Sequence, residues 1–228
     1  TFHGIGGYNT ANSRGVVIDY ATAVSYLSAS GTITFIDEKP SNGAAGWTGY
    51  QGMYYRSATT IGADGTLVPT STSNVVFQVD AIGIDTLLTN INTSGTVTIE
   101  PIGASFTKSV STGSMAMNGI SGLRIGKSGN TANIGIDRAL SVAGPVTLYG
   151  GSINSANNIA LTTGGTLTVN NSGSSLFSGV ISGTDASLAK QGAGVLTLTG
   201  TNSYTGGTGL DATSTLVVGN GGTVGALG

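Results

Sequence analysis

Apolar and hydroxyl residues alternate along this chain in short runs, and each run opens on a glycine. Gly31-Thr32-Ile33-Thr34-Phe35, Gly95-Thr96-Val97-Thr98-Ile99, Gly144-Pro145-Val146-Thr147-Leu148, Gly165-Thr166-Leu167-Thr168-Val169 and Gly194-Val195-Leu196-Thr197-Leu198 share one form: glycine, any residue, an aliphatic, threonine, a large apolar residue. A period of two puts successive side chains on opposite faces, so each run predicts a β-strand with one face buried. The glycine reads as a turn residue leading into the strand. The aliphatics Ile33, Val97, Val146, Leu167 and Leu196 are the expected core ladder, with the flanking threonines facing outward.

The runs start at residues 31, 95, 144, 165 and 194, so their intervals are 64, 49, 21 and 29. A second internal match joins residues 15–24 to residues 52–61 at an offset of 37, with Gly, Ala and Thr in place. Ile136-Asp137-Arg138-Ala139 echoes Ile18-Asp19-Tyr20-Ala21. These spacings suit a base unit of roughly twenty residues with insertions and skipped copies, which is the coil of a parallel β-helix. A propeller would repeat at about 40–50 residues. A sandwich would need antiparallel hairpins, for which Asn42-Gly43, Asp64-Gly65, Asn118-Gly119 and Asn220-Gly221 supply some turns. Neither explains the short interval as well. We expect residues 1–228 to form one continuous stack, with aromatic-rich irregular coils over 1–70, regular coils over 71–170 and a tighter pattern over 171–228.

Composition narrows the function classes. Glycine numbers 39 and charged residues make up only 8% of the chain, yet 39% is hydrophobic and the net charge is −2. A chain with that much apolar sequence and so little net charge collapses rather than staying solvated. The eight basic residues are scattered, so no nucleic-acid partner is expected. With no cysteine, disulfides and thiolate metal sites are excluded. The start at Thr1-Phe2-His3-Gly4 and the stop at Gly225-Ala226-Leu227-Gly228, inside a pattern, suggest a piece of a longer protein.

Residues 187–220 run Ser-Leu-Ala-Lys-Gln-Gly-Ala-Gly-Val-Leu-Thr-Leu-Thr-Gly-Thr-Asn-Ser-Tyr-Thr-Gly-Gly-Thr and on to Thr-Leu-Val-Val-Gly-Asn. This segment closely resembles the autotransporter-associated β-strand repeat, with Asn202, Tyr204, Thr205, Gly206, Gly207 and Thr208 on its hallmark. Val195 stands where Thr is usual and Ser214 where Gly is usual. Gly122–Ala132 and Ala143–Gly151 are similar to repeats of filamentous-haemagglutinin-like surface proteins. The quoted segments cover 54 of the 228 residues. They imply a right-handed β-helix (β-solenoid) stalk in the passenger of a secreted or outer-membrane-associated bacterial adhesin, with roles in virulence or biofilm. They imply no catalytic residue and no cofactor. The partners they imply are a glycan or host-surface receptor, or a second rod. Any membrane tether belongs to parts of the parent protein outside this sequence.

The rival expectation is a polysaccharide-active β-helix enzyme, a lyase or glycoside hydrolase. Its chemistry needs two carboxyls facing one cleft about 5–9.5 Å apart. Asp80 and Asp85 are the pair that stacking would bring near each other, and Asp137-Arg138 and Asp37-Glu38-Lys39 are adjacent charged sets. Charge at coil corners explains all of them equally. His3 is the only histidine and lies at the chain's start, so a hydrolytic triad lacks a placed base. No calcium repeat of Gly-Gly-x-Gly-x-Asp form occurs, and no metal is expected. An ice-binding face needs Thr-x-Thr in register, which the uneven intervals argue against. Binding, if localised, belongs to the aromatic cluster: Phe35, Trp47, Tyr50, Tyr54 and Tyr55 fall within 21 residues. Exposed Trp and Tyr stack on sugars and anchor interfaces. Trp47, Tyr50 and Tyr55 are therefore the candidate ligand-binding residues, with coil packing as the competing account.

Overall fold

The computed structural model describes the backbone of residues 2–5, 17–18, 25–27, 31–38, 53–55, 59–62, 72–79, 82–84, 89–219 and 225–228. Side chains are described for 31–36, 72–79, 90–219 and 225–228. All regular structure among these residues is β-strand, and every strand pair is parallel. Strands visit three faces in strict rotation, and each third strand lands beside the one three earlier. That is a parallel β-solenoid. Parallel neighbours cannot be joined by tight hairpins, so the chain must travel round the other two faces before it returns.

One face is a continuous nine-stranded sheet. Its strands are Phe2–Ile5, Thr32–Glu38, Asn74–Gln78, Thr96–Glu100, Gly122–Ile125, Val146–Gly150, Thr166–Asn171, Ser187–Gln191 and Thr208–Leu210. The second face is split into three-stranded and six-stranded sheets, and the third into two four-stranded sheets. The break in the second face falls where the long corner 101–109 intervenes before Val110–Ser111. Across the break in the third face, Ala143 N still donates to Ile120 O at 2.9 Å, which keeps consecutive coils bonded.

Pairing along the first sheet gives the true coil lengths. Phe35 lies opposite Phe77, 42 residues on, and Val75 lies opposite Val97, 22 on. Val97 faces Leu123, Leu123 faces Val146, and then Leu167 and Leu188 follow at steps of 21. Coils thus shorten toward the C-terminal end. The internal match at offset 37 is a real register, since Val17 pairs with Tyr54 and Ile18 with Tyr55.

All five expected ladder residues are buried, from Ile33 at 5% exposed to Val97, Val146, Leu167 and Leu196 at 0%. Their threonine neighbours are partly exposed, as a period-two strand requires. One expectation needs correcting. Four of the runs lie on the first face, but Gly194–Leu198 lies on the second, where Leu196 sits beside Ser175 and Leu216. The interval of 29 is therefore not a coil step. The first-face strand of that coil is Ser187–Gln191, whose Leu188 continues the ladder from Leu167.

The run glycines also act differently from turn residues. Gly95, Gly144, Gly165 and Gly194 do not have positive φ. A Cβ on each would collide with a carbonyl of the preceding coil: Ser73 O, Ser121 O, Gly144 O and Gly173 O respectively. Glycine is needed because coils approach closely at that corner, not because the turn is left-handed. Gly31 is the exception, with open space around its position.

Candidate functional site: the outer face of the first sheet

Because extra residues are absorbed in corners, outward side chains of the first sheet stack in straight columns. One column runs Val76, Thr98, Arg124, Thr147, Thr168, Ala189. Beside it a second runs Gln78, Glu100, Tyr149, Asn170, Gln191, with Gly126 between Glu100 and Tyr149. The named residues of both columns are partly exposed, except the buried Gly126. Threonines of different runs therefore share a register, contrary to what the uneven intervals suggested. The threonine column is broken by Val76, Arg124 and Ala189 instead.

The N-terminal half of this face carries charge. Arg124 Nη2 donates to Glu100 Oε2 at 2.6 Å, and Gln78 Nε2 donates to Glu100 Oε1 at 2.8 Å. Partial burial pushes the Glu100 carboxyl up, but the bonds from Gln78 and Arg124 and the charges of Arg124 and Lys127 outweigh it. The net pKa lies below the ordinary carboxylate value. Lys127 Nζ is turned to the corner, where it donates to Ile102 O at 3.1 Å. Arg124 occupies a place that neighbouring coils give to threonine; that substitution is the sequence signal for this cluster, and scattered basic residues hid it.

From Gly126 to the Gln191 rung the face is uncharged, and the carboxylate of Asp211 follows on the next rung. Gly126 adopts φ +79°, and a Cβ there would strike Tyr149 O. Gly126 adds no side chain to the rung before Tyr149, and Arg124 Nη1 donates to its carbonyl at 3.4 Å. Among the described residues the Tyr149 hydroxyl has no hydrogen-bond partner. Asn170 Nδ2 reaches Gln191 Oε1 at 3.4 Å, a long and weak bond. Thr166 and Ser187 hydroxyls pair at 2.9 Å at the strand starts.

Inside the coils, buried polar groups satisfy corner carbonyls. Asn130 Nδ2 donates to Tyr149 O at 2.6 Å, and Asn202 Nδ2 donates to Gly200 O and Ala226 O. Lys190 is fully buried in the inner column after Val169, and its Nζ donates to Gln191 O at 2.6 Å and Gly192 O at 2.8 Å. Burial pulls its pKa down against the opposing charge of Asp211. Asp211 is held at about 2, first by the Ser214 hydroxyl and then by the Gly192 N–H and Thr213. These groups hold corners closed and offer no open nucleophile.

Of the sequence-predicted binding residues, Trp47 and Tyr50 lie outside the described residues. Tyr55 ends the strand Met53–Tyr55 on the second face, opposite Ile18 and Ile84, and its side chain is outside the description. Asp80 and Asp85 lie outside the described residues, and His3 is placed only by backbone, opposite Ile36. Asp137 is exposed and bonded to Ser111 Oγ. Among the described residues no cluster of His, Cys, Asp or Glu has the makings of a metal site, and no helix is long and apolar enough to cross a membrane.

Comparison with known proteins adds one segment-level likeness. The model of the passenger-associated-transport-repeat family matches residues 188–212, inside the segment 187–220 that carries the autotransporter resemblance. The matched residues form the last strands of the first sheet, the Lys190 corner and the buried Tyr204. No curated protein and no solved structure matches the chain.

Proposed function

We propose that this chain is a length of non-catalytic rod in the passenger of a bacterial autotransporter, displayed at or released from the cell surface, where it supports adhesion or rod-to-rod association. The observation that carries this reading is the passenger-repeat likeness at 188–212 seated on an uninterrupted nine-stranded face. Solenoids of this kind gain stability coil by coil and present long flat surfaces rather than one pocket. Catalysis needs convergent titratable groups. Glu100, Arg124, Lys190 and Asp211 are instead held in one surface pair and in corner turns. The aromatic cluster at Trp47, Tyr50 and Tyr55 stands in this proposal as an adhesive contact for a glycan or host receptor.

The test has two arms. Incubation with pectin, alginate and glucan should release neither reducing ends nor unsaturated products; turnover lost on Asp80→Asn or Asp85→Asn would establish the rival enzyme. Display of the chain on a bacterial surface should raise adhesion or cell–cell aggregation. If Trp47→Ala, Tyr50→Ala and Tyr55→Ala leave adhesion unchanged, the cluster is packing.

A further inference from the structure

The uncharged part of the outer face has a lattice of its own. Tyr149, Asn170 and Gln191 occupy three successive rungs, and Thr147, Thr168 and Ala189 stand beside them. Rungs of a sheet are about 4.7–4.9 Å apart, and alternate residues along a strand are roughly 6.6 Å apart. The surface is thus a shallow grid of one phenol ring, two amides and two hydroxyls, all partly exposed. Tyr149 Oη, Thr147 Oγ1, Thr168 Oγ1 and Gln191 Nε2 have no hydrogen-bond partner among the described residues.

The chemistry selects the partner. An acidic ligand would want a cation on the track, but Arg124 is paired with Glu100 and Lys127 is turned to the corner, where it donates to Ile102 O. A hydrophobic protein surface would leave the amides and hydroxyls desolvated without partners, at a cost. A ligand that brings its own hydroxyls, a ring face to lie on Tyr149 and a repeat close to the rung spacing meets every group. We propose that Tyr149, Asn170 and Gln191, flanked by Thr147 and Thr168, form a binding track for a neutral linear polysaccharide running along the coil axis, with one sugar per coil. This deepens the rod reading above and rests on it.

The experiment is calorimetric titration of the whole chain with neutral cello-, xylo- and laminari-oligosaccharides of increasing length, and with oligogalacturonate as the acidic control. At least one neutral series should bind, with affinity rising until about three sugars cover the three rungs. Tyr149→Ala should weaken binding about tenfold or more, equivalent to about 1.4 kcal/mol, with the unfolding midpoint unchanged. Tyr149→Phe should keep most of the affinity. Thr168→Arg, at an outward position clear of the core, should block the track even if Tyr149→Ala fails to fold. Absence of binding by every neutral series, tighter binding of oligogalacturonate, or full affinity in both Tyr149→Ala and Thr168→Arg would overturn the track. The rod reading is separable: surface display with adhesion but no oligosaccharide binding defeats only the track, whereas sugar cleavage defeats the rod reading.

Discussion

The rings of Phe35 and Phe77 stack with centroids 5.2 Å apart and planes 13° from parallel, although the two residues are 42 positions apart in the chain. They occupy one inner column in adjacent strands of the first sheet, and the intervening sequence leaves the column and returns without shifting it. This stack sets the first prediction. Phe77→Ala should cost about 3–5 kcal/mol of stability. A double-mutant cycle with Phe35→Ala should return a coupling of about 0.5–1.5 kcal/mol. Denaturant unfolding checks both, and additive losses would mean the rings merely share a core.

Leu167→Asp should unfold its neighbouring coils, because the side chain is fully buried between Val146 and Leu188 and offers a charge no partner. Thr168→Asp, one residue on and outward, should be tolerated. A folded Leu167→Asp protein by circular dichroism would mean that the two faces are exchanged.

Gly165→Ala should destabilise by about 1–3 kcal/mol, since the added methyl meets Gly144 O and the coil step must open. Gly31→Ala has free space and should be neutral or slightly stabilising. Equal effects of the two would sink the close-approach account of the run glycines.

Lys190 predicts a dependence on alkaline pH. Its folded pKa lies below the ordinary 10.5 because burial disfavours the ammonium. Between the two pKa values the unfolded chain binds more protons, so stability rises as pH climbs through that window. Relative to Lys190→Met, wild-type stability should improve as pH rises from below the ordinary lysine value toward 10.5 and then level off. A flat difference across that range would show the corner holding the charge without strain.

Asp211 works at the acid end. Its folded pKa of about 2 lies below the ordinary 3.8, so what it contributes is present above that ordinary value and is lost as pH falls toward 2. Amide exchange at Gly192, which donates to Asp211 Oδ2, should quicken over this interval. In Asp211→Asn the acceleration should vanish.

The strand faces were legible in the sequence because a period of two is local: Ile33, Val97, Val146, Leu167 and Leu196 all point inward. Which face of the coil a run belongs to was not legible. Gly194–Leu198 repeats the form of Gly165–Val169, yet the chain turns a corner at Gly192 and places it on the second face. Identical local patterns serve different faces, because only the corners between them decide the rotation. The offset of 37 survived as the Val17–Tyr54 register because like residues stack on like in adjacent coils. The Glu100–Arg124 pair is 24 residues apart in sequence and adjacent only through stacking, so no contiguous motif announces it. Tyr149 was hidden for the same reason: its column with Asn170 and Gln191 exists only through stacking.

The strands lie across the axis of the rod, so their hydrogen bonds lie along it. Tension applied to the two ends therefore loads the bonds between coils in line rather than in shear. Such a ladder parts one rung at a time. Each coil of roughly twenty residues that peels away would lengthen the chain by about 70 Å. The short C-terminal coils would yield small, even increments, and the 42-residue step between Phe35 and Phe77 a longer one. A solenoid built this way yields in steps and absorbs work at each.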